Sequence, residues 1–135
     1  MDAPLPTNRE LQALKVLWEC ERCTVREIYN ELRELDNELD KTSDLAYTTV
    51  LSLMQTMERK GLVVRESAGR GKTHHYHAVV ASEPTLRELA GEFLNTVFDG
   101  AMNQYVVRAL EASNPSPEEL DELEAMITRA RRQTQ

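Results

Sequence analysis

The hydrophobic period changes at Gly61, and that change limits the folds open to the chain. Upstream, Val50, Leu53, Met54 and Met57 follow the i, i+3, i+4, i+7 spacing of one helix face. This predicts a helix from about Ala46 to Lys60. Gly61 is its natural stop, because glycine takes the left-handed conformation that ends a helix. Downstream, Leu62-Val63-Val64-Arg65-Glu66 is β-prone, and Thr73-His74-His75-Tyr76-His77-Ala78-Val79-Val80 can return beside it. The turn between them, Ala68-Gly69-Arg70-Gly71-Lys72, holds two glycines and two cations. The pair reads as a β-hairpin with a basic tip.

Two helices precede that unit. Thr7-Asn8-Arg9-Glu10 is a capping box, in which the hydroxyl accepts from an early amide and the carboxylate reaches back to the cap amide. Leu11, Leu14, Leu17 and Trp18 then share a face. Thr24-Val25-Arg26-Glu27 repeats the start signal, followed by Val25, Ile28, Tyr29, Leu32 and Leu35 at helical spacing. The acidic stretch Glu34 to Asp44 reads as a frayed helix end plus a loop. Beyond the hairpin, Ser82-Glu83-Pro84 opens a helix with Leu86, Leu89, Ala90, Phe93, Val97 and Phe98 as its apolar set, broken at Asp99-Gly100. Met102 to Ala112 forms another, ended by Ser113-Asn114-Pro115. Ser116-Pro117-Glu118-Glu119 combines a capping box with proline at the first helical position, and Leu120, Leu123, Ile127 and Ala130 form the stripe that follows.

The order helix–helix–helix–hairpin is the outline of a winged helix-turn-helix, in which the second helix of the turn motif enters the DNA major groove. The expected fold is therefore mainly α. A winged-helix DNA-binding domain would span 1–81, and a helical dimerisation domain 82–135. Three short, strongly apolar helices make too thin a bundle to close alone. Pairing with a second copy would bury their stripes; the other option is that the tail folds back on its own N-terminal domain.

Charge supports the division. The net charge of −7 argues against coating nucleic acid by charge alone. Residues 1–82 hold 11 basic and 13 acidic side chains, whereas 83–135 hold 5 and 10. Residues 45–80 carry 5 basic side chains (Arg59, Lys60, Arg65, Arg70, Lys72) against 2 acidic ones (Glu58, Glu66), with three histidines besides. A basic island thus sits in an acidic chain. On the third helix, the face opposite the core stripe is Thr48, Ser52, Gln55 and Arg59, with no carboxylate to repel phosphate. Hydroxyls and an amide can meet base edges, and an arginine suits a guanine or a phosphate. Arg70 and Lys72 would lie along a phosphate strand or reach into a minor groove.

Leu45-Ala46-Tyr47-Thr48-Thr49-Val50, Met57-Glu58-Arg59-Lys60-Gly61-Leu62 and the Gly69-Arg70-Gly71 turn with Tyr76 resemble the BlaI/MecI/CopY family of penicillinase-type repressors. Leu14-Lys15-Val16-Leu17-Trp18 looks like that family's first helix, and the tail is similar from Phe93 to Gly100 and at Pro117-Glu118-Glu119-Leu120. The resemblance covers roughly residues 5–130. It implies a homodimer on a palindromic double-stranded operator that blocks transcription. It also implies base contacts from Tyr47, Thr48, Thr49, Ser52, Gln55 and Arg59, and wing contacts from Arg70 and Lys72. Dimer contacts would come from Leu89, Phe93, Val97, Phe98, Val106, Leu110, Leu120, Leu123 and Ile127. Two departures stand out. The Asn-Phe bond cleaved in β-lactam-responsive members is replaced by Arg108-Ala109, and no cysteine follows Cys23 to form the Cys-x-Cys motifs of copper-responsive members.

Other chemistries find little support. Cys20-Glu21-Arg22-Cys23 is an isolated CxxC at the corner between the first two helices. A zinc or redox role would need partners, so the expectation is small buried or half-buried thiols. Strand alternation puts His75 and His77 on one hairpin face and His74 on the other; protonated, they would strengthen phosphate contact at lower pH. No metal or cofactor is expected. There is no phosphate-cradling glycine loop and no HExxH, and the carboxylates fall mainly on solvent faces, so no enzyme is expected. No apolar run approaches the roughly 18 residues of a membrane span. The N-terminus lacks the basic and apolar segments of a secretory signal, which makes the cytoplasm the expected compartment. The rival reading is a winged helix that binds a protein partner without specific DNA binding; a mild salt dependence would mark it.

Overall fold

The computed structural model describes residues 4–39, 44–67 and 73–134. The elements run α1 (Asn8–Cys20), α2 (Val25–Glu38), α3 (Tyr47–Lys60), β1 (Val63–Ser67), β2 (His74–Ala78), α4 (Ser82–Phe98), α5 (Met102–Ser113) and α6 (Pro117–Gln133). The chain forms two compact units, Met1–Leu89 and Ala90–Gln135.

The expected caps start three of the helices. The Thr7 amide donates to Glu10 Oε1 (2.9 Å) while the Glu10 amide donates to Thr7 Oγ1 (3.3 Å). Thr24 and Glu27 repeat the exchange for α2, and Ser116 and Glu119 for α6, with Pro117 in its first turn. Helix α3 has no side-chain cap at Ala46, but its end is firm. Gly61 sits at φ 82°, and the Leu62 amide donates to the Met57 carbonyl (3.0 Å). Helix α2 runs to Glu38, so the first half of the acidic stretch expected to fray is ordered helix. Within it Asp36 is buried and accepts two hydrogen bonds from Arg9, of 2.9 and 3.0 Å.

The core of the N-terminal unit joins α1, α2, α3, β1 and β2. Leu14, Leu17, Ile28, Leu32, Val50, Met54, Met57, Leu62, Val63 and Tyr76 are almost wholly buried. Leu53, expected in the α3 stripe, is only half-buried and packs at the edge of this cluster. Strands β1 and β2 pair antiparallel, with Val63 opposite Ala78, Arg65 opposite Tyr76 and Ser67 opposite His74. The second strand is shorter than expected, since the chain turns away at Val79 and Val80. There the Trp18 Nε1–H donates to the Val80 carbonyl (3.0 Å). The loop between α1 and α2 adds an edge to the hairpin through a bridge between Cys23 and Tyr76.

The C-terminal unit is built differently. Among residues 90–134 none is buried. Phe98 stacks on Tyr105 with ring centroids 5.4 Å apart, and Phe93 leans on both. The break after α4 is Asp99 at φ 54° and Gly100 at φ 82°. Helix α5 closes on Asn114 in the left-handed region, φ 48°.

Candidate nucleic-acid interface

Helix α3 meets the solvent along one side only. Its exposed residues are Thr48, Thr49, Ser52, Gln55 and Arg59. These are five of the six α3 residues singled out in the sequence. They are exposed because Val50, Met54 and Met57 turn the other side of the helix into the core. None is a carboxylate; the only acid on the helix, Glu58, is half-buried. The Arg59 Nη2–H donates to Thr56 Oγ1 (3.0 Å), which steadies the guanidinium at the helix end without neutralising it. A shallow groove beside this face is lined by Leu45, Thr48, Thr49, Ser52, Leu53 and Thr56.

Tyr47, the sixth residue, is placed otherwise. Its ring is half-buried and meets Tyr29 edge-on at 5.9 Å, with the Arg26 guanidinium 4.4 Å from its centroid. The contact ties the first turn of α3 to α2. Arg70 and Lys72, the expected wing contacts, lie outside the described residues.

The far end of α3 is pinned by a contact the sequence reading missed. Lys60 Nζ donates to both oxygens of Glu10 (2.8 and 2.9 Å), and Glu10 is only 2% exposed. Burial alone would raise the Glu10 carboxyl. The Lys60 hydrogen bond, the Thr7 amide and the Lys60 charge outweigh it, and the group is held below the usual carboxylate range. The capping box marked Glu10 only as a helix-start residue. Its second partner lies 50 positions away, where no local pattern can reveal it.

At the hairpin, alternation holds as expected. His75 and His77 share a face, with Tyr76 turned into the core. The His77 Nδ1 lies 3.6 Å from Glu66, so one histidine already faces a carboxylate. Cys20 and Cys23 are joined in a disulfide, which corrects the expectation of thiols. Among the described residues there is no group of three or more metal-ligating side chains, and no helix long and apolar enough to cross a membrane.

The expected dimer residues are mostly open to solvent. Phe93, Val97, Val106, Leu120, Leu123 and Ile127 are exposed, while Leu89, Phe98 and Leu110 are half-buried. Met102, Val107 and Met126 are exposed too and were not singled out. Met102, Val106, Leu110, Leu123 and Met126 line one apolar groove between α5 and α6.

The penicillinase repressor family model matches residues 6–129. The penicillinase repressor of Bacillus licheniformis is 26% identical over 120 residues, covering 89% of this chain and 87% of that protein. The methicillin resistance regulatory protein MecI of Staphylococcus aureus (strain N315) is 20% identical over 122 residues, covering 90% and 98%. Among solved structures, RosR of H. salinarum aligns over 96% of each chain at 18% identity, with a TM-score of 0.47. With the family match running through both units, the chain belongs to the penicillinase repressor family of transcriptional repressors.

Proposed function

We infer that this chain represses transcription as a homodimer bound to a palindromic double-stranded operator. The observation that carries the reading is the α3 surface: every exposed residue on it is a hydroxyl, an amide or a guanidinium. Residues 1–81 are the DNA-binding domain and 82–135 the dimerisation domain. Thr48, Thr49, Ser52 and Gln55 reach base edges, while Arg59, Arg70 and Lys72 hold phosphates. Tyr47 acts from behind, by fixing the entry of α3 against α2. Two copies of α3 would enter successive major grooves about 34 Å apart. The unburied apolar stripes of α4, α5 and α6 support pairing, with Leu89, Phe93, Val97, Phe98, Val106, Leu110, Leu120, Leu123 and Ile127 at the contact. This activity belongs in the cytoplasm, beside the chromosome, and needs no catalytic group. Release by cleavage at Arg108-Ala109 is not expected, since the Asn-Phe bond of the β-lactam-responsive members is absent there.

Gln55→Ala separates reading from holding. It should cost about 1–3 kcal/mol on the preferred duplex and little on unrelated DNA, so that base preference relaxes. Lys72→Ala should weaken binding to all sequences alike. Fluorescence anisotropy on the two duplexes measures both. An equal loss on every sequence from Gln55→Ala would remove it from the base-reading set.

A further inference from the structure

We propose that Cys20 and Cys23 form a reversible thiol–disulfide site that sets how firmly the root of the hairpin is held, and through it DNA binding; the second part rests on the operator reading above. The disulfide lies where three elements meet. Cys20 is the last residue of α1 and is exposed, while Cys23 is buried at 3% exposure. The Cys23 amide donates to the Tyr76 carbonyl (3.1 Å), and the Tyr76 amide donates to the Cys23 carbonyl (2.8 Å). Arg22, inside the four-residue loop, lies 3.9 Å from Glu66 on β1. The loop therefore touches both hairpin strands.

The loop also carries a conformation that needs holding. Glu21 sits at φ 68°, a region side-chain-bearing residues avoid, with its amide donating to the Leu17 carbonyl (2.8 Å). The disulfide keeps that turn closed. Once it opens, the loop is held against the hairpin by the packing of Cys23 in the core, two backbone hydrogen bonds and one long ion pair. The exposure difference also orders the chemistry. A small-molecule disulfide such as oxidised glutathione meets the Cys20 thiolate first, forming a mixed disulfide and releasing one glutathione thiolate. The Cys23 thiolate then attacks Cys20 Sγ and expels the second. Two electrons pass from the cysteines to the oxidant, and both protons end on the released glutathione. Reduction reverses the sequence, with Cys23 as the leaving thiolate.

The test uses the full-length chain in glutathione buffers of graded ratio. Maleimide labelling with mass spectrometry counts thiols, and NMR hydrogen exchange follows the Cys23 and Tyr76 amides. Two thiols should appear in reducing buffer and none in oxidising buffer, with both amides exchanging at least tenfold faster when reduced. Cys20→Ser, at an exposed position, leaves one thiol and should exchange its Cys23 and Tyr76 amides as fast as the reduced wild type in every buffer. The oxidised protein should bind DNA at least threefold more tightly than the reduced one. A bond that never forms, a bond no glutathione ratio opens, or equal exchange in both states overturns the proposal. If both states bind DNA with equal affinity despite a difference in exchange, the link from the disulfide to DNA binding is overturned. If neither state binds DNA while the exchange difference persists, the operator reading fails and the redox hold on the hairpin stands.

Discussion

Glu10→Ala is expected to destabilise the N-terminal unit by about 2–4 kcal/mol. The substitution leaves the Lys60 ammonium without its buried counter-charge and takes away the Thr7 amide's acceptor. The estimate is below that for a fully buried pair, because the Lys60 side chain is 30% exposed and can turn toward water. Glu10→Gln keeps one acceptor for the cap and should cost about half as much. Trp18 is the only tryptophan, so urea unfolding followed by its fluorescence reports this unit. The pH dependence has a definite sign. The folded carboxyl titrates below its ordinary value, so the ionised pair stabilises the fold above the usual carboxylate range. That stability is lost as pH falls through the lowered folded value. The gap between wild type and Glu10→Gln should therefore close in acid; a gap independent of pH would mean that the charge of Glu10 contributes nothing.

Leu123→Asp combined with Ile127→Asp should convert the protein from dimer to monomer. Both side chains are exposed in the single chain, at 39% and 57%, so neither change disturbs a packed core. Burial of a large apolar side chain stabilises by about 1.5–3 kcal/mol, and a carboxylate at the same place must be desolvated instead. Sedimentation velocity should show the shift in mass, while Trp18 fluorescence shows the N-terminal unit still folded. DNA affinity should fall at least a hundredfold, because two half-sites no longer bind as one event. A double variant that still sediments as a dimer would place the contact elsewhere on the tail.

The legible parts of this molecule are those written in local pattern. The α3 stripe of Val50, Met54 and Met57 fixes which side of that helix is buried, and so which side is free. The three capping boxes mark their helix starts because the bonds run between residues three apart. Contacts across long separations were not legible. Asp36 in an acidic run looks like solvent-facing charge until Arg9 is brought beside it. Glu10 looks like a cap until Lys60 arrives from the end of α3. The family resemblance puts Tyr47 among the base contacts, yet its ring packs against Tyr29 and Arg26. The CxxC spacing allows thiols, a metal ligand pair or a disulfide, and spacing alone does not choose the disulfide found.

Selection from a random duplex library by the full-length protein tests DNA reading most directly. The expected result is enrichment of a two-fold symmetric sequence with half-sites about one helical turn, roughly 10–10.5 base pairs, apart. Its affinity should fall steeply with salt, and the variant carrying Arg59→Ala, Arg70→Ala and Lys72→Ala should lose it. Failure to enrich any sequence at low salt from a confirmed dimer would contradict specific DNA binding and leave a protein partner as the target of the α3 face.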